Sequence, residues 1–598
     1  MHGKEVYALK NNDRKTGPLK FIKERLFSLD SAFCRLYDNG LFSHSAAAVR
    51  HGFLTLSSRV IGVFLFTLGI YAFLIALLIS LFADKTADSS TLYGGAVLAV
   101  SSIPLLFSKG NVSTILTESG IGAIICDHLS IREKTLDTST FSGHSSIAFV
   151  LGVIVGASTA VIPLSHIICA FTLLLIFAVI LTTPETGITF MTVLLFITGI
   201  RLQYALICVT AASYILKLIR RKRTLSLKKT DIILMIFLLC TLFGVFVSHG
   251  ETVDTSSLKF SLLLFAYMIC ICLIRDRAKL LKLIYAAIMT GGAVASLFIL
   301  ARALEALLPA GVFAQPELLS EAVGAFPVFA SGFAPLAFAT LIPVCAAFIV
   351  KPNSEGYRFT SCVCLASMLG YLLLCEELAF ALAGACATAI FLFVTGSRWV
   401  YLAMSGVLCS GVILMFAGSF GTRLYSYVVS RLSEAFNQAK DLSYISQNAF
   451  AAQYAFGGQG FNGSGEAGSN FYFSLISQLG VSGFVILCVF VLCVLAESAV
   501  LIIKTYRATN CEEAICRFPS IGTPGEARAC ALSLSCSILV CIICATFCNF
   551  FKSPEQYLLL FMLCGFCAAY ARSTKSEIGT AEGALIYGQS CDRCQTKL

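Results

Sequence analysis

Two arginines eight positions apart, Arg423 and Arg431, are the residues of this chain best suited to chemistry on a phosphate. If the segment is helical they fall near one face, with Tyr427 between them. A guanidinium is planar and donates two hydrogen bonds at once, so it holds a phosphate or pyrophosphate in a fixed orientation. The same polar segment carries Lys440 and the run Gly457-Gly458-Gln459-Gly460-Phe461-Asn462-Gly463. Backbone amides in such a run can face an anion. No strand pattern precedes it, so neither a P-loop nor a dinucleotide fingerprint applies. Asn470 stands where the apolar chain resumes, as a helix cap or as a substrate contact. The structural alternative for the arginines is contact with lipid headgroups, or pairing with Glu434 and Asp441.

The elements that must position these residues are apolar helices. Hydrophobic residues make up 57% of the chain and charged residues 13%, against about 25% charged in a soluble domain. Mean hydropathy is +0.85. Apolar runs recur from Val60 onward, each close to the roughly 20 residues that cross a bilayer. The expected fold class is therefore all-α, a polytopic transmembrane bundle of about 12–16 helices with one large outer loop. Runs are expected near 60–82, 92–108, 145–163, 165–183, 186–201, 203–219, 231–248, 257–274 and 282–303. Further runs follow near 333–350, 359–375, 378–396 and 399–418, then from 471, and at 528–548 and 555–572.

The net charge of +10 does not indicate nucleic acid, because the basic residues sit between apolar runs. Clusters such as Arg220-Arg221-Lys222-Arg223, Arg275 to Lys282, Lys351 with Arg358, and Lys504 with Arg507 follow the positive-inside bias of cytoplasmic loops. Counting crossings from them places the segment 419–470 outside and both termini in the cytoplasm. Residues 1–59, with ten basic against five acidic side chains, read as a cytoplasmic basic extension. Residues 60–303 form an N-terminal helical region, 304–572 a second one containing the outer loop, and 573–598 a cytoplasmic tail.

Several other features have plain readings. Most of the 26 cysteines stand singly in apolar runs, where cysteine acts as a small hydrophobe. A single pair at zinc-like spacing, Cys591 and Cys594, has no second pair to complete a site. No metal and no cofactor is expected. Glu376-Glu377 suits an outer hairpin turn, and Arg398-Trp399 an anchor at the inner interface.

Three segments together resemble the O-antigen ligases and Wzy-type polysaccharide polymerases, over about residues 324–572. The first is Gly324-Ala325-Phe326-Pro327 with Ser331-Gly332 and the helix that follows. The second is Thr395-Gly396-Ser397-Arg398 before an apolar helix. The third is Ser469-Asn470-Phe471-Tyr472 with Gln478-Leu479-Gly480-Val481-Ser482-Gly483. The first lacks the family's asparagines. Ser469 stands where the family often has a histidine, and no histidine follows His249.

The resemblance implies a membrane glycosyltransferase whose donor is a glycan on a polyprenyl diphosphate and whose acceptor is another glycan or an envelope molecule. Arg423 and Arg431 would then stabilise the departing diphosphate. Lys440, Tyr427 and Asn470 would contact substrate. Without the histidine, Glu466 is the first candidate to take the acceptor's proton, followed by Glu434 or Asp441. Two alternatives compete: a peptidoglycan polymerase of the shape, elongation, division and sporulation family, and a transporter or flippase. The first usually carries a late proline- and glycine-rich stretch that residues 545–554 lack. The second calls for ionisable residues within the helices.

Overall fold

The computed structural model describes residues 56–82, 89–111 apart from 109, 145–219, 228–247, 255–307, 326–351 apart from 331, 355–396 apart from 376, 471–510, 524–547 and 554–595, together with positions 114, 324, 426, 429, 430 and 433. The expected run 399–418 and nearly all of the loop 419–470 lie outside the described residues.

Among the described residues sixteen helices follow in order: α1 Ser58–Phe82, α2 Ser89–Phe107, α3 Ser145–Ser158, α4 Leu164–Thr182, α5 Pro184–Leu194, α6 Ile200–Ile219, α7 Lys229–Val247 and α8 Thr255–Leu273. Then come α9 Arg277–Leu307, α10 Pro327–Ala330, α11 Ala334–Val350, α12 Glu355–Leu374, α13 Leu378–Thr395, α14 Phe471–Asn510, α15 Pro524–Phe547 and α16 Pro554–Gln595. Eight described segments are long and apolar enough to cross a membrane, and five shorter helices are also apolar. Large side chains such as Phe393 and Phe359 stand 79% and 71% exposed on this surface. That is costly in water and favourable in lipid. The chain is an all-α, multi-pass membrane protein, as its composition requires.

One expected helix differs. The run near 186–201 stops at Leu194 and turns through residues 195–199 before α6 begins. The turn is mostly apolar and buried at its start, with Leu195 3% and Phe196 1% exposed and Phe196 stacked on Phe338 at 6.5 Å. Hydropathy does not distinguish such a turn from a continuing helix.

The chain divides into two compact units. One comprises Met1–Thr186 and Val209–Leu225, the other Gly187–Cys208 and Ser226–Leu598. In the first, α1 packs on α2 and α3 through glycines. An added Cβ at Gly69 would stand 2.6 Å from the backbone nitrogen of Ala99, and one at Gly95 would stand 2.8 Å from that of Phe73. Lipid tails are as apolar as leucine, so helix association in a membrane depends on such close backbone approach. Ser58 Oγ donates to the Gly110 carbonyl at 2.6 Å, tying the start of α1 to the chain just after α2.

In the second unit, α11 is the central helix. Fifteen of its residues, from Ala334 to Phe348, are buried, as befits a helix apolar on every side. It packs against α12, α13 and α15, with α9 and α16 also touching it. Interactions between helix ends sort this unit into two faces. At one, the Arg528 guanidinium at the start of α15 donates to the Val394 carbonyl at the end of α13, and lies 4.8 Å from the ring centre of Tyr506 on α14. Arg277, which opens α9, lies 5.7 Å from the ring centre of Tyr570 on α16. Lys228, Lys351, Lys504 and Lys575 belong to the same helix ends, so this is the basic face. Toward the other face, Phe329 of α10 rests on Phe298 of α9 and Tyr371 of α12, at 4.9 and 5.4 Å. Pro327 lies near Gly199 in the buried turn.

Replacing Gly95 with leucine drives a side chain into the α1 backbone. Overpacking of this kind costs about 1–3 kcal/mol or more. The expected result is a lower midpoint of thermal unfolding for the detergent-purified protein, measured by fluorescence-detected size exclusion. An unchanged midpoint would contradict the close α1–α2 packing.

Candidate functional site

The most strongly organised polar group among the described residues is a charge cluster within the second unit. Asp231 is the third residue of α7. Its position in the first turn lets the carboxylate reach back, and Oδ2 accepts the backbone N–H of Lys228 at 2.8 Å. That contact is the carboxylate half of a capping box. The remaining lone pairs meet α16: Arg572 Nη1 donates to Oδ2 and Nη2 to Oδ1, both at 2.8 Å. The Tyr267 hydroxyl of α8 donates to Oδ1 at 3.0 Å. Asp231 thus accepts four hydrogen bonds, which fills an ionised carboxylate. It is fully buried.

Arg572 also serves a second carboxylate. Its Nε donates to Glu497 Oε2 at 3.1 Å and Nη2 to Oε1 at 3.3 Å. The Thr230 hydroxyl donates to Glu497 Oε1 as well. The side chains of Arg572 and Glu497 are 13% and 23% exposed. Just outside α7, the Lys228 ammonium is pushed below its ordinary pKa by burial and then by the positive charge of Arg572.

Chemically, the cluster is a satisfied clamp. One guanidinium neutralises one of two carboxylates and hydrogen-bonds both, joining α7, α8, α14 and α16. Charges in an apolar bundle are tolerated when paired in this way.

All six sequence-predicted site residues, Arg423, Tyr427, Arg431, Lys440, Glu466 and Asn470, lie outside the described residues. So do Glu434, Asp441, Glu376, Arg398 and Trp399. The three motif segments around Gly332, Gly396 and Gly480 are described in part. Gly332 and Gly396 each have φ 64°, and Gly480 has φ 75° with ψ 168°, inside the span of α14. All three have left-handed backbone, which favours glycine.

Sequence reasoning missed Asp231, Glu497 and Arg572 as a group. The available signal was the isolation of Glu497 within a long apolar run and of Arg572 at the end of another. Nothing in the spacing linked them, since Asp231 and Arg572 are 341 residues apart. Comparison of the chain with family models, with curated proteins and with solved structures gives no match.

Arg572→Met leaves the buried Asp231 carboxylate and the half-buried Glu497 without their cation, a loss of about 3–5 kcal/mol. Adding Asp231→Asn to that variant removes one stranded charge and recovers part of the loss. Thermal unfolding of the single and double variants would show this as coupling between the two positions. Strictly additive effects would mean that the pair does not interact.

Proposed function

We propose that this chain is an integral membrane glycosyltransferase that polymerises or ligates polyprenyl-diphosphate-linked glycans on the outer side of a bacterial cytoplasmic membrane. The observation that carries the reading is a coincidence of motif and backbone. Among the described residues, the glycines with left-handed φ are Gly332, Gly396 and Gly480. Each belongs to one of the three segments that resemble the O-antigen ligase and polymerase family. These short motifs therefore have a backbone reason for their composition. At Gly480 the α14 helix is interrupted; at Gly396 α13 ends in a left-handed cap. The first segment is seated on aromatic rings, with Phe329 against Phe298 and Tyr371.

Orientation follows from charge. Under the positive-inside rule the basic face of the second unit is cytoplasmic. In this reading the loop 419–470 is on the outer side. Arg423 and Arg431 hold the diphosphate as the bond from the anomeric carbon to its phosphate oxygen breaks, and the electron pair leaves on that oxygen. The acceptor hydroxyl oxygen bonds to the anomeric carbon, and Glu466 takes its proton. Lys440, Tyr427 and Asn470 contact the glycan and its lipid carrier.

The buried charges give the transporter reading one observation in its favour. Two features weigh against it. Asp231 stands in the first turn of α7 and Arg572 three residues before the end of its apolar span at Lys575. Asp231 and Arg572 are also paired with each other. A structural clamp accounts for both.

The reading is tested by extracting lipid-linked glycans from a deletion strain complemented with variants. Single repeat units accumulate if the protein is a polymerase, and full-length polymer on its lipid if it is a ligase. Arg423→Ala and Arg431→Ala are each expected to abolish product at unchanged protein level, a loss of 100-fold or more, on the order of the loss when one oxyanion donor is removed. Normal glycan in the deletion strain would reject the proposal.

A further inference from the structure

We infer that Glu555 binds the acceptor glycan of the proposed transfer, its carboxylate accepting hydrogen bonds from sugar hydroxyls at the outer end of the second unit. The inference rests on the glycosyltransferase reading and adds a contact outside the loop. Glu555 is the second residue of α16 and only 9% exposed. Pro554 before it is exposed, and every residue of the helix from Glu555 to Ala571 is buried. The carboxylate therefore lies just beneath the surface, on a helix enclosed by its neighbours rather than facing lipid. The same helix carries Arg572 near its other end, where two carboxylates bind it. Glu555 has no such arrangement. Among the described residues it forms no ion pair and no hydrogen bond, and its electrostatic neighbour is Tyr204 of α6.

Burying an unpaired charge is costly, and an ionisable group kept in a membrane bundle at that cost points to a ligand. The α16 dipole offsets part of the cost, yet an ionised carboxylate still has room for about four hydrogen bonds. Gln203, next to Tyr204 in sequence, is fully buried too, and its Oε1 has no donor among the described residues. Acceptors without donors at the outer ends of α6 and α16 suit a ligand that brings many hydroxyls. A glycan does so without charge. A diphosphate would be repelled, which assigns Glu555 to the acceptor rather than to the reacting end of the donor.

Depth supports this assignment. Helices α14 and α16 both run from the outer side to the clamp, where Glu497 meets Arg572. Counting back seventeen residues from each reaches Gly480 and Glu555, so the break in α14 and the carboxylate stand at similar depth. Rings link the two places. A Cβ at Gly483 would stand 4.0 Å from the Phe237 ring, Phe237 meets Phe260 at 6.2 Å, and Phe260 meets Tyr557 at 5.0 Å. The third motif segment and the start of α16 thus border one outer surface.

The test uses the full chain purified in detergent, with lipid-linked glycan extracted from the deletion strain as substrate. Product formation is measured against glycan concentration. Glu555→Gln is expected to raise KM about tenfold, the worth of a hydrogen bond to a charged group, with kcat within about twofold of wild type. A rise in KM alone marks binding shared by ground and transition states. The unfolding midpoint of this variant is expected to stay at or above that of wild type, because no partner is stranded. Glu555→Asp keeps the charge on a shorter stem, is expected to raise KM less, and keeps the test decisive if Glu555→Gln does not fold. A lowered midpoint with unchanged KM would make the carboxylate structural and overturn the inference. Unchanged KM in both variants, with product from wild type, overturns this inference alone. Wild type that makes no product from the extract overturns the transferase reading and the inference with it.

Discussion

Arg572 and Asp231 meet in a two-pronged pair, 2.8 Å at each contact, between the last helix of the chain and the first turn of α7. Removing these charges from water costs several kcal/mol per ion, and the attraction offsets that cost only when geometry and secondary hydrogen bonds are good. Here they are. Asp231 receives Tyr267 and the backbone of Lys228, while Arg572 turns its remaining donors to Glu497. A cluster with this many directional demands tolerates one axial and rotational setting of α7, α14 and α16. It therefore fixes which helix ends share a face.

The rest of the second unit is consistent with that setting. Arg277 over Tyr570, Arg528 at the end of α13 and Lys351 just past the end of α11 all place basic residues at the same end of the bundle. Aromatic side chains take over toward the other end, around Phe298, Phe329 and Tyr371. Between the two faces the packing is apolar, and α11 is buried from Ala334 to Phe348. The concentration of basic residues at one end gives the unit a polarity that hydropathy alone would not, although the other end has its own ion pair, Arg302 with Glu305 beside Phe298.

That polarity bears on function through the loop. A transferase acting on a lipid diphosphate needs cations on the side where its donor is presented, and the positive-inside bias works against cations there. In the proposed glycolipid reading Arg423 and Arg431 lie on that side, where cations are unusual, and holding the diphosphate is their purpose. At the basic face such residues are ordinary, and the burial of Arg277 is the unusual feature.

Much of the architecture was legible in the chain. The expected run 165–183 is helix Leu164–Thr182, and 378–396 is Leu378–Thr395. The agreement is close because hydrocarbon leaves backbone groups no partner except one another, so about 20 apolar residues in a row become a helix. The run near 186–201 failed at Leu194 because a buried turn has the composition of the helices around it. The loop residues stood out by type and spacing, and their reading rests on sequence and chemistry alone. The charge cluster was hidden. Asp231, Glu497 and Arg572 are three isolated charges in the sequence, and their meaning comes from pairing across hundreds of residues. Apolar length is a local property that any short window records. The partner of a buried charge is set by how helices cross, and only the folded bundle specifies it.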